Sequence, residues 1–120
     1  MKTILLIEDD PFLVDIYTSK LKQSGFEVEA VEDGDSALEK IKEKKPDLVV
    51  LDIVLPNIDG WEILRRIKAE GLKDLKVIIL SNLSQKEEVE KGLSLGAVKY
   101  LIKAHYTPTE VVEEIKKLLK

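Results

Sequence analysis

Five short apolar runs divide this chain, and each is followed by a stretch whose apolar residues recur at helical spacing, a pattern few architectures accommodate. The first run is Ile4-Leu5-Leu6-Ile7 and the third is Leu48-Val49-Val50-Leu51. Both are rich in Ile, Val and Leu, as strands buried on both faces are. Val77-Ile78-Ile79-Leu80 reads the same way, and Val98, Tyr100, Leu101 and Ile102 supply the fifth run. In the second, Phe26, Val28 and Ala30 alternate with Glu27, Glu29 and Val31, which suits a half-exposed edge strand.

The segments between carry start and stop signals of helices. Asp10 before Pro11 reads as an N-cap and first helical position, with Leu13, Val14, Tyr17 and Leu21 on one face and a stop at Gly25. A second helix is expected from near Asp35, carrying Ala37, Leu38 and Ile41 and breaking at Pro46. A third, over residues 60–69, presents Trp61, Ile63, Leu64 and Ile67 and ends near Gly71. Ser84 and Glu87 have capping-box spacing for a fourth, whose only apolar residues, Val89, Leu93 and Leu95, predict the least firmly packed helix. Thr107, Pro108 and Glu110 open a fifth, with Val111, Val112, Ile115, Leu118 and Leu119.

Five strand–helix units with short connections imply a parallel sheet with right-handed crossovers and helices on both faces. The 120 residues are too few for an eight-unit barrel. With the alternating second strand at an edge, the expectation is a flavodoxin-like, doubly wound α/β domain over residues 1–120, with five strands in the order 2-1-3-4-5 and five helices. The switch point then lies between strands one and three.

Carboxylates stand at that point. Glu8, Asp9 and Asp10 follow the first run directly and Asp52 follows the third. Two like charges about 4 Å apart repel by roughly 4 kcal/mol at an effective dielectric near 20, so a cation is expected among them. Residues just beyond the other strand ends add Ser81 and Lys103. Oxygen ligands with open positions suit Mg²⁺, and an aspartate can act as a nucleophile on phosphorus while metal and lysine neutralise the phosphoryl oxygens. The set therefore suits phosphoryl transfer. Asp10 is read as a cap rather than a ligand, Asp59 as a turn former in Pro56-Asn57-Ile58-Asp59-Gly60, Trp61 as partly exposed packing, and His105 as an exposed loop residue.

Composition excludes several alternatives. Nineteen basic against 23 acidic residues give a net charge of −4, and Lys40, Lys42, Lys44 and Lys45 alternate with Glu39 and Glu43, which argues for a solvated face and against nucleic-acid binding by this domain. No apolar stretch of about 18 residues and no signal-peptide pattern after Met1 appear, so no membrane partner and a cytoplasmic location are expected. The chain has no cysteine, which removes disulfides and thiol catalysis together.

Ile7-Glu8-Asp9-Asp10, the stretch from Asp52 through Gly60, Ser81 after the fourth strand and Tyr100-Leu101-Ile102-Lys103 at the fifth together resemble the response-regulator receiver domains of two-component signalling. That resemblance covers the whole chain. It implies that Asp52 accepts a phosphoryl group from a sensor histidine kinase or phosphotransfer protein. It implies direct Mg²⁺ ligation by Asp9 and Asp52, with Glu8 reaching the metal through water, the Val54 backbone carbonyl as a further ligand and Mn²⁺ as a substitute metal. Ser81 would hydrogen-bond the phosphoryl group and Lys103 pair with it, while Tyr100 matches an aromatic that swings inward as the hydroxyl residue moves. The output face would be helix four, strand five and helix five, acting on a downstream protein target or effector domain, as a monomer or a phosphorylation-dependent dimer. Apolar Val54 and Leu83 occupy positions that tune access of hydrolytic water, which implies slow loss of phosphate.

One departure stands out. Ala104 follows Lys103 where the family usually has proline, so the isomer of this peptide and the aim of Lys103 are open. The chain is expected to be either a stand-alone regulator or a piece of a longer one. Two competing readings share the fold: a phosphorylation-independent interaction module, and an FMN-binding flavodoxin-like module. The second needs a glycine- or hydroxyl-rich phosphate loop where Glu8, Asp9 and Asp10 stand. A phosphoaspartyl phosphatase would need its nucleophile after the first strand and a cap over the site.

Overall fold

The computed structural model describes residues 1–72 and 74–119; Lys73 and Lys120, the latter the end of the expected domain, lie outside the described residues. Strands β1 (Thr3–Ile7), β2 (Glu27–Val31), β3 (Leu48–Leu51), β4 (Lys76–Ser81) and β5 (Lys99–Ile102) alternate with helices α1 (Pro11–Gln23), α2 (Gly34–Lys44), α3 (Gly60–Ala69), α4 (Lys86–Ser94) and α5 (Pro108–Leu118). All pairings are parallel and the order is β2-β1-β3-β4-β5, as the sequence pattern implies.

The two-residue alternation of the strands feeds two separate cores. Ile4, Leu6, Leu48, Val50, Ile78, Leu80 and Leu101 face α1 and α5, meeting Tyr17, Leu21, Val111, Val112 and Ile115. Leu5, Ile7, Val49, Leu51, Val77 and Ile79 face the other way, toward Ala37, Leu38 and Ile41 of α2 and Ile63, Leu64 and Ile67 of α3. Covering both faces is what makes the central strands apolar at every position. Each fully buried Leu or Ile contributes about 1.5–3 kcal/mol.

The caps are mostly those the sequence signals. The Asp10 carboxylate accepts from the amides of Phe12 and Leu13, and Thr107 and Glu110 form the reciprocal box at α5. Helix α2 is capped by Asp33 and starts at Gly34, in line with a start near Asp35. Two expectations are corrected. Asp59 is the N-cap of α3, accepting from the Glu62 amide at 3.0 Å, because Asn57 with a φ of 68° completes the turn earlier. Helix α4 is capped by Gln85, whose amide donates to Glu88 at 3.0 Å, one residue beyond the expected Ser84 and Glu87.

Helix α4 is the sparsest packer, as its apolar content implies: only Gly92 is buried. A Cβ there would meet Ile79 Cδ1 at 2.5 Å and the Tyr100 ring at 2.9 Å, so the bare glycine lets that ring lie against the helix. On another side Lys91 sets its ammonium 4.5 Å from the centre of the Trp61 ring, a cation–π contact between α3 and α4. Edge strand β2 carries exposed Glu27, and Lys40 of α2 pairs with Glu29 at 3.0 Å. The lysine-rich end of α2 is thus ion-paired surface. Among the described residues no helix is long and apolar enough to cross a membrane.

Candidate functional site

Register assembles the site. Ile7 stands beside Leu51 in the β1–β3 ladder, and the Asp52 amide continues that ladder onto the Ile7 carbonyl at 3.0 Å. Glu8 and Asp52 therefore leave neighbouring strand ends side by side. Ser81 pairs with Ile102 at the end of β4 and β5, which puts Lys103 one step beyond the same edge. Side-chain parity then sorts the residues: Glu8 and Lys103 continue the face of Leu6 and Leu101, while Ser81 and Tyr100 share the face of Ile79.

The cation expected among the carboxylates is Lys103. Its Nζ lies 2.6 Å from Glu8 Oε1 and 2.8 Å from Asp52 Oδ2, with side-chain exposures of 12% for the lysine, 2% for Glu8 and 7% for Asp52. The remaining oxygens are also engaged: Glu8 Oε2 accepts from the Asp10 amide at 3.2 Å and Asp52 Oδ1 from the Val54 amide at 3.3 Å. The Lys103-Ala104 peptide is trans, and the chain turns away through a 3₁₀ turn, Lys103–His105, on which His105 is exposed as expected. Lysine thus reaches the aspartate without a proline after it.

Glu8, Asp9 and Asp52 each offer an oxygen within 4.8 Å of the others, with Asp9 exposed to solvent. Three carboxylates face a single ammonium, and this all-oxygen set with an open side fits a hard divalent cation such as Mg²⁺. Asp10 is absent from that set and caps α1, in line with its reading as a cap. Val54 turns a 61% exposed side chain outward beside the cluster.

Across the sheet edge, Ser81 is fully buried and its Oγ accepts from the Leu83 amide at 3.3 Å. Ser81 is the last residue of β4 and does not cap α4. The Tyr100 hydroxyl donates to the Leu83 carbonyl at 2.6 Å. The two hydroxyls named from sequence therefore hold opposite ends of one residue in the β4–α4 loop. One feature escaped sequence reading: the direct Glu8–Lys103 pair joins residues near opposite ends of the chain and leaves no local spacing signal.

Burial pushes the Glu8 carboxyl above the usual carboxylate range; the bond from Lys103 opposes this and the Asp52 charge adds to it. Burial alone would lower the Lys103 ammonium, but its bonds to Asp52 and Glu8 outweigh that and raise it. Burial likewise raises the phenols of Tyr17 and Tyr100. Since the folded-state pKa of Glu8 lies above its unfolded value, its contribution is full below the unfolded value and is lost as pH rises through the folded one. Metal-free protein should lose this part of its stability as pH rises from the ordinary glutamate range through the raised pKa of Glu8, and Glu8→Gln should remove it. Urea midpoints across that range in chelator check this; an unchanged pH slope in the variant contradicts it.

A family model described as the response regulator receiver domain matches residues 4–116. Among curated relatives, the alkaline phosphatase synthesis transcriptional regulatory protein PhoP of Bacillus subtilis is 36% identical over 99% of this chain and 49% of its own length. The phosphate regulon transcriptional regulatory protein PhoB of Escherichia coli is 32% identical over 99% of this chain and 52% of its own. The chain thus spans about half the length of these relatives. Among solved structures, the BeF3-activated DrrB receiver domain is 34% identical with a TM-score of 0.87, covering 99% of this chain and 97% of that one. A CheY-like receiver domain protein from Methanospirillum hungatei is 29% identical with a TM-score of 0.90, covering 99% and 94%.

Proposed function

This chain belongs to the response regulator receiver domain family, and from that membership we propose that Asp52 is the acceptor of a phosphoryl group delivered by a phosphohistidine of a sensor kinase or phosphotransfer protein. The observation that carries the reading is the placement of Asp52: a buried carboxylate fixed from one side by Lys103 and from the other by the Val54 amide, at the edge where Glu8 and Asp9 converge. An Asp52 oxygen attacks phosphorus, forming an O–P bond as the P–N bond of the phosphohistidine breaks. The imidazole leaves with the electron pair and takes a proton from solvent.

Glu8, Asp9 and Asp52, with the Val54 carbonyl, are the groups that would hold Mg²⁺ or its substitute Mn²⁺. When bound, the metal supplies positive charge that offsets the phosphoryl oxygens during transfer. Lys103 adds a positive charge already in place, so little reorganisation is needed at the moment of reaction. Ser81 turns its hydroxyl from the Leu83 amide toward the new phosphoryl oxygens. The added group brings about −1.5 to −2 charges to a site whose two proposed anchors are Ser81, the last residue of β4, and Lys103, the first residue after β5. Displacing Ser81 frees one end of Leu83 and lets Tyr100, bonded to the other, move with the loop into the lightly packed α4. The output is a change of the α4–β5–α5 face presented to a protein target or effector domain, as a monomer or a phosphorylation-dependent dimer. Residues 1–120 act as one cytoplasmic receiver domain with no substrate of its own beyond the phosphoryl donor.

Incubation with acetyl phosphate and Mg²⁺, read by intact mass, tests the reading: a single phosphoryl adduct supports it and none overturns it. The adduct should also be long-lived, because the positions that tune access of hydrolytic water in this family are the apolar Val54 and Leu83, which offer no group to orient that water. Phosphate release from the isolated phospho-form measures this, and a lifetime of seconds contradicts it.

A further inference from the structure

We propose that Glu8 is the positioning residue for Lys103, so that its carboxylate, and not the backbone that follows the lysine, fixes where the ammonium stands. The inference rests on the reading of Asp52 as phosphoryl acceptor and gives Glu8 a task separate from metal binding.

Lys103 opens an exposed 3₁₀ turn, Lys103–His105, whose closing bond from the Tyr106 amide to the Lys103 carbonyl is long at 3.3 Å. Ala104 and His105 are exposed, so the backbone beyond the lysine packs against little. A lysine side chain is a flexible stem bearing a compact charge, and such a stem takes its direction from its partners. Here those are two carboxylates, Glu8 at 2.6 Å and Asp52 at 2.8 Å.

The two partners differ in permanence. Phosphorylation turns one Asp52 oxygen into the bridging atom of an acyl phosphate and takes away the carboxylate charge. Glu8 keeps both. It is also the better anchored: its side chain is 2% exposed, and its second oxygen is held by the amide of Asp10, itself fixed as the cap of α1. Glu8 therefore carries the ammonium unchanged from the free to the phosphorylated state, standing beside the atom where charge develops. Reach is what matters. Aspartate at this position would draw the carboxylate back by one C–C bond, about 1.5 Å, and a 2.6 Å charged bond does not survive that retreat.

A double-mutant cycle on the whole chain at saturating Mg²⁺ tests this. Glu8→Asp is expected to slow phosphoryl uptake from acetyl phosphate by about tenfold. In the Lys103→Met background the same change is expected to cost clearly less than this, because the lysine it positions is gone and only its share in holding the metal is left to lose. Effects that multiply across the pair overturn the proposal. A second readout is independent of phosphorylation: the Lys103 ammonium, held between two carboxylates, gives a slowly exchanging ¹H–¹⁵N resonance that Glu8→Asp should abolish. Its persistence in the variant also overturns the proposal. If the parent takes up no phosphoryl group, the reading of Asp52 fails, while the ammonium resonance still decides the role of Glu8.

Discussion

Asp52→Asn is expected to remove the phosphoryl adduct entirely while leaving the protein folded. An amide oxygen carries no negative charge and does not attack phosphorus at a useful rate, so the variant lacks its nucleophile. The change is nearly isosteric, and the amide still offers an oxygen to Lys103, whose Nζ now rests 2.8 Å from Asp52 Oδ2. It also removes one of three crowded negative charges, so the fold should not suffer from the loss. Intact mass after acetyl phosphate and Mg²⁺ reads the result. The parent should gain one group, none when chelator is present from the start, and the variant none. An adduct on the variant would place the acceptor elsewhere, with Asp9 the nearest alternative.

Gly60→Ala is expected to give the largest loss of stability among conservative changes near the site. A Cβ at this first residue of α3 would lie 2.6 Å from both the Asp52 carbonyl oxygen and the Ile53 Cα. Both obstacles are backbone, and they cannot swing aside as a side-chain tip can. The same glycine donates its amide to the Ile53 carbonyl at 2.8 Å, so the β3–α3 connection is closed at both ends. Overpacking of this kind costs about 1–3 kcal/mol. Gly92→Ala is the contrast, since its new methyl would meet side-chain atoms of Ile79 and Tyr100 rather than backbone. Denaturant unfolding of the two variants checks the order. A smaller loss for Gly60→Ala than for Gly92→Ala would mean that the connection flexes. Because the displaced atoms include the Asp52 backbone, phosphoryl uptake should fall with stability in Gly60→Ala.

The fold was legible where one local rule sufficed. Residues 4–7, 48–51 and 77–80 are apolar throughout because helices cover both faces, and β2 alternates because it is an edge. The acidic set was legible because parallel strands in register end together. Errors arose where two local solutions were nearly equal. Ser84 with Glu87 and Gln85 with Glu88 offer the same spacing, and only the path of the chain out of β4 selects the second pair. Asp59 suits a turn or a cap equally by type; the left-handed Asn57 decides for the cap. The Glu8–Lys103 bond had no local signal, because it depends on the length of a side chain measured across a sheet already folded.

The contact between Lys91 and Trp61 has a practical consequence. Trp61 is the only tryptophan of the chain, and its indole sits under a cation carried by α4, the helix with the least to hold it in place. Emission from that indole is therefore a native optical gauge of the α4 position, readable in a stopped-flow cuvette without any attached dye. The wavelength and intensity of one ring would then test in real time whether α4 moves when phosphoryl donor is added, as the proposed switch requires.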